Sequence, residues 1–136
     1  SILSPFQVAS IESGCTIISF GSPAYNLVSE EIENYKESIV KMVNDNTEIA
    51  VDNMPNFKSG SVGFIQRIIK NENGVDKSSF YVAGLSERGT VGAGNYLAKQ
   101  WSQLERKYKA DESFIVILNF PSTNIDNFQI VSERKI

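Results

Sequence analysis

The chain has 136 residues, of which 41% are hydrophobic and 21% are charged, and this length and composition are typical of one globular domain. The many apolar residues exclude a disordered chain, and no apolar run approaches the roughly 20 residues that a membrane-spanning helix needs. The net charge of -3 argues against a protein that coats nucleic acid with its whole surface. The chain opens at Ser1 without a methionine or a signal-peptide pattern, so we expect a piece processed from a longer protein.

The charges are distributed unevenly along the chain. Residues 1–60 carry three lysines or arginines against eight carboxylates, whereas residues 61–136 carry ten against eight. Residues 88–109 hold five cations and one carboxylate, so an anionic ligand is expected to meet the chain there. The alternative interpretation of this stretch is an ordinary solvated helix face.

The sequence contains no histidine, and Cys15 is its single cysteine. These two counts exclude Ser-His-Asp and Cys-His catalysis, zinc fingers and an intrachain disulfide. The counts also exclude histidine-based metal sites, and any catalysis has to use carboxylate, lysine, arginine, tyrosine or hydroxyl groups. We predict no metal and no cofactor. Cys15 lies in an apolar run and is predicted to be a buried, unreactive thiol.

The first half of the chain predicts a strand, a helix and a second strand. Residues 15–20 predict a short strand that ends at a Gly-Ser-Pro turn. Ser29 is a favourable N-cap, and apolar residues recur at helical spacing after it, so a helix is predicted over residues 29–43. The polar residues 44–46 end this helix, and residues 47–51 predict a strand.

The second half begins with a hairpin signal. Residues 62–70 and 78–85 are rich in β-formers, and Asn73-Gly74 between them is a strong signal for a tight turn. Three more elements follow: a helix after residue 95 with its apolar stripe at Leu97, Trp101, Leu104 and Tyr108, a strand over 114–120 that is expected to be central, and a last strand over 128–131.

These elements predict an α+β domain, in which a mainly antiparallel sheet of about five strands is packed by two helices. The compact core is expected over residues 15–136, after a loose lead-in over residues 1–14. The helix residues expected to be buried against the sheet are Ile32, Ile39, Val43, Leu97, Trp101 and Leu104.

The segment 86–95 joins a strand to a helix and holds three glycines at positions 89, 92 and 94. Each glycine destabilises a helix start by roughly 1 kcal/mol relative to alanine, so stability alone does not explain the cluster. Glycine lets backbone N–H groups approach a ligand, a helix N-terminus attracts anions, and Arg88 adds a charge suited to phosphate. The segment is therefore a candidate phosphate or carboxylate cradle. A flexible connector with glycines for a tight turn is the alternative.

The candidate site extends to residues outside this segment. Arg67 shares a strand face with Ile65 and Ile69; it needs an anionic partner if that face is buried, and it is an ordinary edge cation if the face is exposed. Tyr81 either faces a cleft or covers part of the core. The candidate catalytic residues are Arg88, Glu87, Lys99, Tyr81 and Thr90, and the candidate ligand-binding residues are Gly89, Gly92, Gly94, Asn95, Arg67 and Thr123.

The order of the predicted elements over residues 25–136 resembles that of the C-terminal nuclease domains of bacterial polymorphic toxins, including those of contact-dependent growth inhibition systems. Such domains place a helix before a small antiparallel sheet, in a fold shared with barnase- and RelE-like ribonucleases. The polar tail 132–135 also suits a domain cut from the end of a long protein. The acidic pI of about 5.0 departs from the basic character usual in this family.

The resemblance implies a metal-independent ribonuclease, directed at tRNA, that acts in the bacterial cytoplasm after delivery from a secreted or cell-surface parent protein. Its partners would be RNA and a cognate immunity protein. Arg88 and the backbone of residues 89–94 would stabilise the charge on phosphorus, and Glu87, Lys99 or Tyr81 would move protons. The alternative is a non-catalytic acidic binding protein, such as the immunity protein of a toxin, which the net charge of -5 in residues 1–60 favours.

Overall fold

The computed structural model describes residues 11–13 and 16–136, with side chains from residue 16 onward. Two helices separate runs of two, four and two strands along this part of the chain. The elements are β1 (Ile11–Ser13), β2 (Thr16–Phe20), α1 (Leu27–Glu33), β3 (Val40–Val43), β4 (Glu48–Val51), β5 (Val62–Glu72), β6 (Val75–Gly84), α2 (Glu87–Lys107), β7 (Phe114–Asn119) and β8 (Gln129–Lys135).

Six strands form one sheet in the order β1-β2-β6-β5-β7-β8, and β3 and β4 pair with each other in a separate two-stranded sheet. Among the described strands of the larger sheet, β2 and β6 run parallel and the other neighbouring pairs are antiparallel. The predicted α+β class with a mainly antiparallel sheet is therefore confirmed. The apolar run that forms β7 is an internal strand, between β5 and β8.

The hairpin predicted at Asn73-Gly74 is present. Glu72 pairs with Val75, so the loop between β5 and β6 contains two residues. Asn73 has a φ of 54° and Gly74 a φ of 79°, and a two-residue type I′ turn requires positive φ at both of these positions. Local turn chemistry thus sets the register of the two longest strands.

One layer covers each face of the large sheet. On one face, α2 packs over a core that includes Ile65 and Val82. On the other face, α1 and the β3–β4 hairpin pack over a core that includes Phe64 and Tyr81. Neighbouring positions of a strand point to opposite faces, so β5, β6 and β7 are buried on both sides over most of their length.

The helix predicted over residues 29–43 is wrong in its second half. Helix α1 ends at Glu33, and its N-cap is Asn26, whose side chain accepts a hydrogen bond from the Val28 amide at 2.9 Å. Ser29 lies inside the helix and is buried, where its hydroxyl donates to the Gly21 carbonyl at 2.7 Å. The residues at apparent helical spacing after Glu33 belong to β3, and residues 44–46, all with positive φ, turn the chain into β4.

Four smaller expectations need correction. Trp101 is 37% exposed, because it lies at the rim of an apolar groove between α2 and β2 and contacts Phe80 edge-on at 5.6 Å between ring centroids. Ile39 and Val43 are half-buried, while the other predicted core positions are buried. The last strand continues to Lys135 instead of ending at residue 131, and residues 11–13 of the predicted lead-in form β1. Cys15 lies outside the described residues.

Candidate functional site

The segment 86–95 is helical and does not form the predicted loop. Ser86 is the N-cap of α2; it has a φ of -143°, its Oγ accepts from the Gly89 amide at 3.5 Å, and the same Oγ donates to the Gly60 carbonyl at 2.5 Å. Glu87 lies in the first turn, where the helix dipole favours a carboxylate. The glycine cradle is therefore not present as predicted, because the residues assigned to it lie within the first turns of α2.

Close packing explains the glycines. A Cβ at Gly89 would overlap the carbonyl oxygen of Val62, and a Cβ at Gly63 would overlap the carbonyl oxygen of Gly89. A Cβ at Gly92 would lie 2.6 Å from the Phe120 ring. Gly63 and Gly89 let α2 approach the backbone of β5 more closely than any residue with a side chain would allow, and Gly92 leaves room for the Phe120 ring. These glycines therefore serve the core and do not cradle an anion.

Arg88, Glu87 and Thr123 are brought together by the structure. They line a shallow cavity of about 440 Å³ between the start of α2 and the loop after β7, which we call the Arg88 groove. Arg88 is half-buried, and its guanidinium has no hydrogen bond or ion pair to any described residue. The residues that line this groove are Ser86, Glu87, Arg88, Val91, Thr123 and Ile125.

Lys99 and Asn95 lie beside the same loop, but both contact Asp126. The Lys99 Nζ lies 2.5 Å from the Asp126 Oδ1, and the Asn95 amide donates to that oxygen at 3.2 Å. The hydrogen bond from Lys99 lowers the pKa of Asp126. The charge of Lys99 is thus neutralised within the chain, and the predicted role of Lys99 in proton transfer has no free ammonium to support it.

The cationic stretch 88–109 does not form one surface. At 1.5 Å per residue, Lys107 lies roughly 30 Å along α2 from Arg88. Lys107 also pairs with Glu133, with 2.5 Å between the Lys107 Nζ and the Glu133 Oε2. Among the described cations of this stretch, Arg88 is therefore the one that lies at the predicted site and lacks an acidic partner.

Tyr81 is fully buried on the opposite face of the sheet from α2. Its hydroxyl donates to the Glu33 Oε2 at 2.5 Å, and its ring contacts Phe64 edge-on. Burial, together with Glu33, raises the pKa of Tyr81 well above 10.0. The predicted catalytic role of Tyr81 is therefore wrong, since its hydroxyl reaches neither the solvent nor the Arg88 groove.

Arg67 is also a structural residue. It is buried with the apolar residues of β5 on the α2 face, the inward alternative of the two that the sequence left open. Its predicted anionic partner is replaced by the backbone carbonyls of Lys109 and Glu112, each 2.7 Å from Nη2, and its guanidinium stacks on Phe114 at 5.0 Å. Burial lowers the pKa of Arg67, while the carboxylate of Glu112 opposes that shift.

A second cavity, which the sequence did not reveal, lies on the other side of the α2 N-terminus. It has a volume of about 400 Å³ and opens where the parallel strands β2 and β6 both end. We call it the acidic pocket, because Asp45 and Glu87 are its charged residues. Thr90 belongs to this pocket and not to the Arg88 groove. The lining residues are Ser22, Ala24, Tyr25, Asp45, Asn46, Gly84, Leu85, Ser86, Glu87 and Thr90.

Other site types find no support in the part of the chain that the structure describes. No group of three or more histidine, cysteine, aspartate or glutamate side chains there could hold a metal ion. None of the described helices combines the length and the apolar character needed to cross a membrane. No family model, curated protein or solved structure matches this chain at a significant level.

Proposed function

We propose that this domain is a metal-independent endoribonuclease that holds an RNA phosphate in the Arg88 groove. The observation that carries the proposal is the guanidinium of Arg88, which is half-buried, lacks an acidic partner among the described residues, and lies next to Glu87 and Thr123 at the start of a long helix. A helix N-terminus and an unpaired arginine both favour a bound phosphate.

Cleavage of RNA by its own 2′-hydroxyl requires a base, a group that stabilises negative charge on the phosphorane, and a proton donor. The 2′-oxygen of RNA forms a bond to the adjacent phosphorus while the bond from phosphorus to the 5′-oxygen breaks. Glu87 takes the proton of the 2′-hydroxyl, Arg88 stabilises the negative charge that develops on the phosphorane, and water returns a proton to the leaving 5′-oxygen. Because Tyr81 and Lys99 are engaged elsewhere, the proposed catalytic set contains Arg88 and Glu87 alone. The proposed setting is the cytoplasm of a bacterium that has received the domain from a larger toxin, with tRNA as substrate and an immunity protein as partner.

A second candidate function is a non-catalytic binding protein, of the kind that neutralises a basic toxin. Two observations favour it. The engagement of Tyr81 and Lys99 removes from the groove the two proton donors that the sequence predicted for the leaving oxygen. The layer formed by α1, β3 and β4 exposes carboxylates to the solvent, which suits a basic partner. The exposed carboxylates in and beside that layer are Glu30, Glu31, Glu37, Asp45 and Asp52.

Expression of the wild-type chain and two variants in bacteria, followed by gel electrophoresis of total RNA, tests the proposal. Arg88→Ala should reduce cleavage by roughly 100-fold or more, because it removes the charged donor to the phosphorane. Its thermal stability should be nearly unchanged, since an unpaired cation near the surface contributes little to folding. Arg106→Ala, at the far end of the same helix, is the matched control and should cleave like the wild type.

Each outcome favours one of the two candidates. Discrete tRNA fragments from the wild type and Arg106→Ala, but not from Arg88→Ala, would support the ribonuclease. Intact RNA and normal growth with all three proteins would contradict it and favour the binding protein. Equal cleavage by Arg88→Ala and the wild type would show that the Arg88 groove is not the site.

A further inference from the structure

Two largely buried residues of the acidic pocket carry hydroxyl groups without a partner among the described residues. Ser22 is 8% exposed and Thr90 is 3% exposed, and the side chain of neither residue forms a hydrogen bond with any described residue. No fully enclosed side-chain oxygen or nitrogen in the described part of the chain lacks a partner. The two hydroxyl oxygens are therefore not fully enclosed. Both residues line the acidic pocket, so the pocket is the space into which their hydroxyls open. Unpartnered hydroxyls that open only into a pocket point to a ligand that hydrogen-bonds to them.

The charges of the pocket restrict the chemistry of that ligand. Asp45 and Glu87 present carboxylate oxygens, which only accept hydrogen bonds. The amides of Gly89 and Thr90 are bonded to Ser86, whereas those of Glu87 and Arg88 at the start of α2 have no acceptor within the helix and carry partial positive charge. An anion would be repelled by the two carboxylates, because no lysine or arginine among the described residues lines this pocket to offset them, whereas a simple cation would be opposed by the helix terminus. A neutral ligand whose groups both donate and accept hydrogen bonds can pair with the carboxylates, with the N–H groups and with the hydroxyls of this pocket.

Hydroxyl groups have this dual character, and the side chains of Ser22 and Thr90 can pair with them in either direction. The volume of about 400 Å³ lies in the range of small-molecule sites. We propose that the acidic pocket binds a small neutral ligand with vicinal hydroxyl groups, either a monosaccharide unit or the ribose of a nucleoside.

This inference does not depend on RNA cleavage, and binding measurements on the ¹⁵N-labelled chain test it directly. The probes are the methyl glycosides of glucose, galactose and mannose, and the four ribonucleosides, at concentrations up to roughly 10 mM, where millimolar binding saturates. The negative controls are 2′,3′-dideoxyadenosine, putrescine and sulfate. We expect saturable amide shifts at Ser22, Asp45, Glu87 and Thr90 with at least one hydroxylated probe. Binding of a glycoside alone would identify the ligand as a monosaccharide unit, and binding of a nucleoside alone would identify it as a ribose.

Two variants connect the binding to the buried hydroxyls. Thr90→Val and Ser22→Ala should each weaken the binding by about fivefold to tenfold, because each removes one hydrogen bond to the ligand. Ser102→Ala, an exposed serine elsewhere on α2, is the matched control and should bind like the wild type. The amide spectrum of each variant reports whether it is folded.

Four results would overturn the proposal. They are the absence of shifts with every hydroxylated probe, equal shifts with 2′,3′-dideoxyadenosine and adenosine, saturable shifts with putrescine or sulfate alone, and unchanged affinity in both folded hydroxyl variants. None of these results bears on RNA cleavage, so the ribonuclease proposal stands or falls separately.

Discussion

Glu33 is buried between α1 and the sheet, where its Oε2 accepts hydrogen bonds from the Tyr81 hydroxyl and from the Met42 amide at 2.9 Å. Burial raises the pKa of Glu33, and the hydrogen bond from Tyr81 opposes that rise only in part. The folded protein therefore holds the Glu33 proton more tightly than the unfolded chain does. The resulting stabilisation is complete below the ordinary pKa of 4.5 and is lost as the pH rises through the folded value.

Glu33→Gln should remove this pH dependence. Glutamine keeps an oxygen acceptor for both donors but does not titrate, so the variant should gain stability relative to the wild type as the pH rises above about 4.5. Urea denaturation of both proteins at a series of pH values between roughly 4 and 8 measures the difference in unfolding free energy.

Glu31→Gln is the control for this measurement, because it removes a carboxylate from the exposed side of the same helix. A difference between wild type and Glu33→Gln that stays constant over the pH series would contradict the assigned burial of Glu33.

The strand face of Arg67 follows from the sequence, but its hydrogen-bond acceptors do not. Alternation along β5 predicts that Arg67 shares the face of Ile65, and this is confirmed. The alternation does not predict which groups accept hydrogen bonds from the buried guanidinium. The acceptors are the carbonyls of Lys109 and Glu112, in the turn before β7. Those residues are more than 40 positions away in sequence, and only the folded chain brings them to Arg67.

At the scale of elements, the start of α2 packs so closely on β5 that glycine is required on both sides of the contact. Gly89→Ala should raise the intrinsic helix propensity by about 1 kcal/mol and still destabilise the protein by about 3 kcal/mol. The added methyl group would overlap the Val62 carbonyl, and backbone cannot move aside as a flexible side chain can. Thermal or urea unfolding of the variant measures the loss.

Gly94→Ala is the matched control in the same helix. Its added Cβ would lie 3.3 Å from the Phe20 ring, at the edge of the apolar groove, where the ring has room to shift. This variant should range from neutral to about 1 kcal/mol more stable than the wild type. If Gly89→Ala were as stable as Gly94→Ala, the close approach of α2 to β5 would be wrong.

The segment after α1 shows why apolar spacing alone assigned the wrong element. Ile39 and Met42 are three residues apart, as on a helix face, but Val40 and Met42 also alternate inward as on a strand. A four-residue strand is too short for the two patterns to be distinguished. The decisive signal is Asn44-Asp45-Asn46, which adopts positive φ and turns the chain back into β4 instead of ending a helix.

At the scale of the whole molecule, the protein is a three-layer arrangement whose central strands are covered on both faces. The amides that join β5 to β7 should therefore exchange with solvent only when the whole domain unfolds. Strand β8 is an edge strand, and its residues Ile130 and Val131 are 50% and 44% exposed. Its amides should exchange more than about tenfold faster, through local opening.

Hydrogen exchange followed by NMR measures both sets of amides in one sample. Increasing concentrations of urea should accelerate the β5–β7 amides in parallel with global unfolding, while the β8 amides should respond weakly. Equal protection of β8 and β7 would mean that the edge of the sheet is covered in solution, for example by another protein chain.

The sequence by itself determined the elements whose signals are local. Asn73-Gly74 defined the hairpin and its register, the apolar run of β7 defined an internal strand, and two helices among several hairpin-connected strands defined the α+β class. Each of these signals depends on backbone preferences or side-chain periodicity within about ten residues, which a single chain segment expresses before it packs.

Only the tertiary structure decided the candidate sites. The Arg88 groove needs Thr123 from a distant loop, and the acidic pocket joins Ser22, Asp45 and Thr90 from three separate parts of the chain. The glycines of α2 look the same in sequence whether they face a ligand or a neighbouring strand. Their role depends on which backbone lies opposite, and that contact exists only once the helix has packed on the sheet.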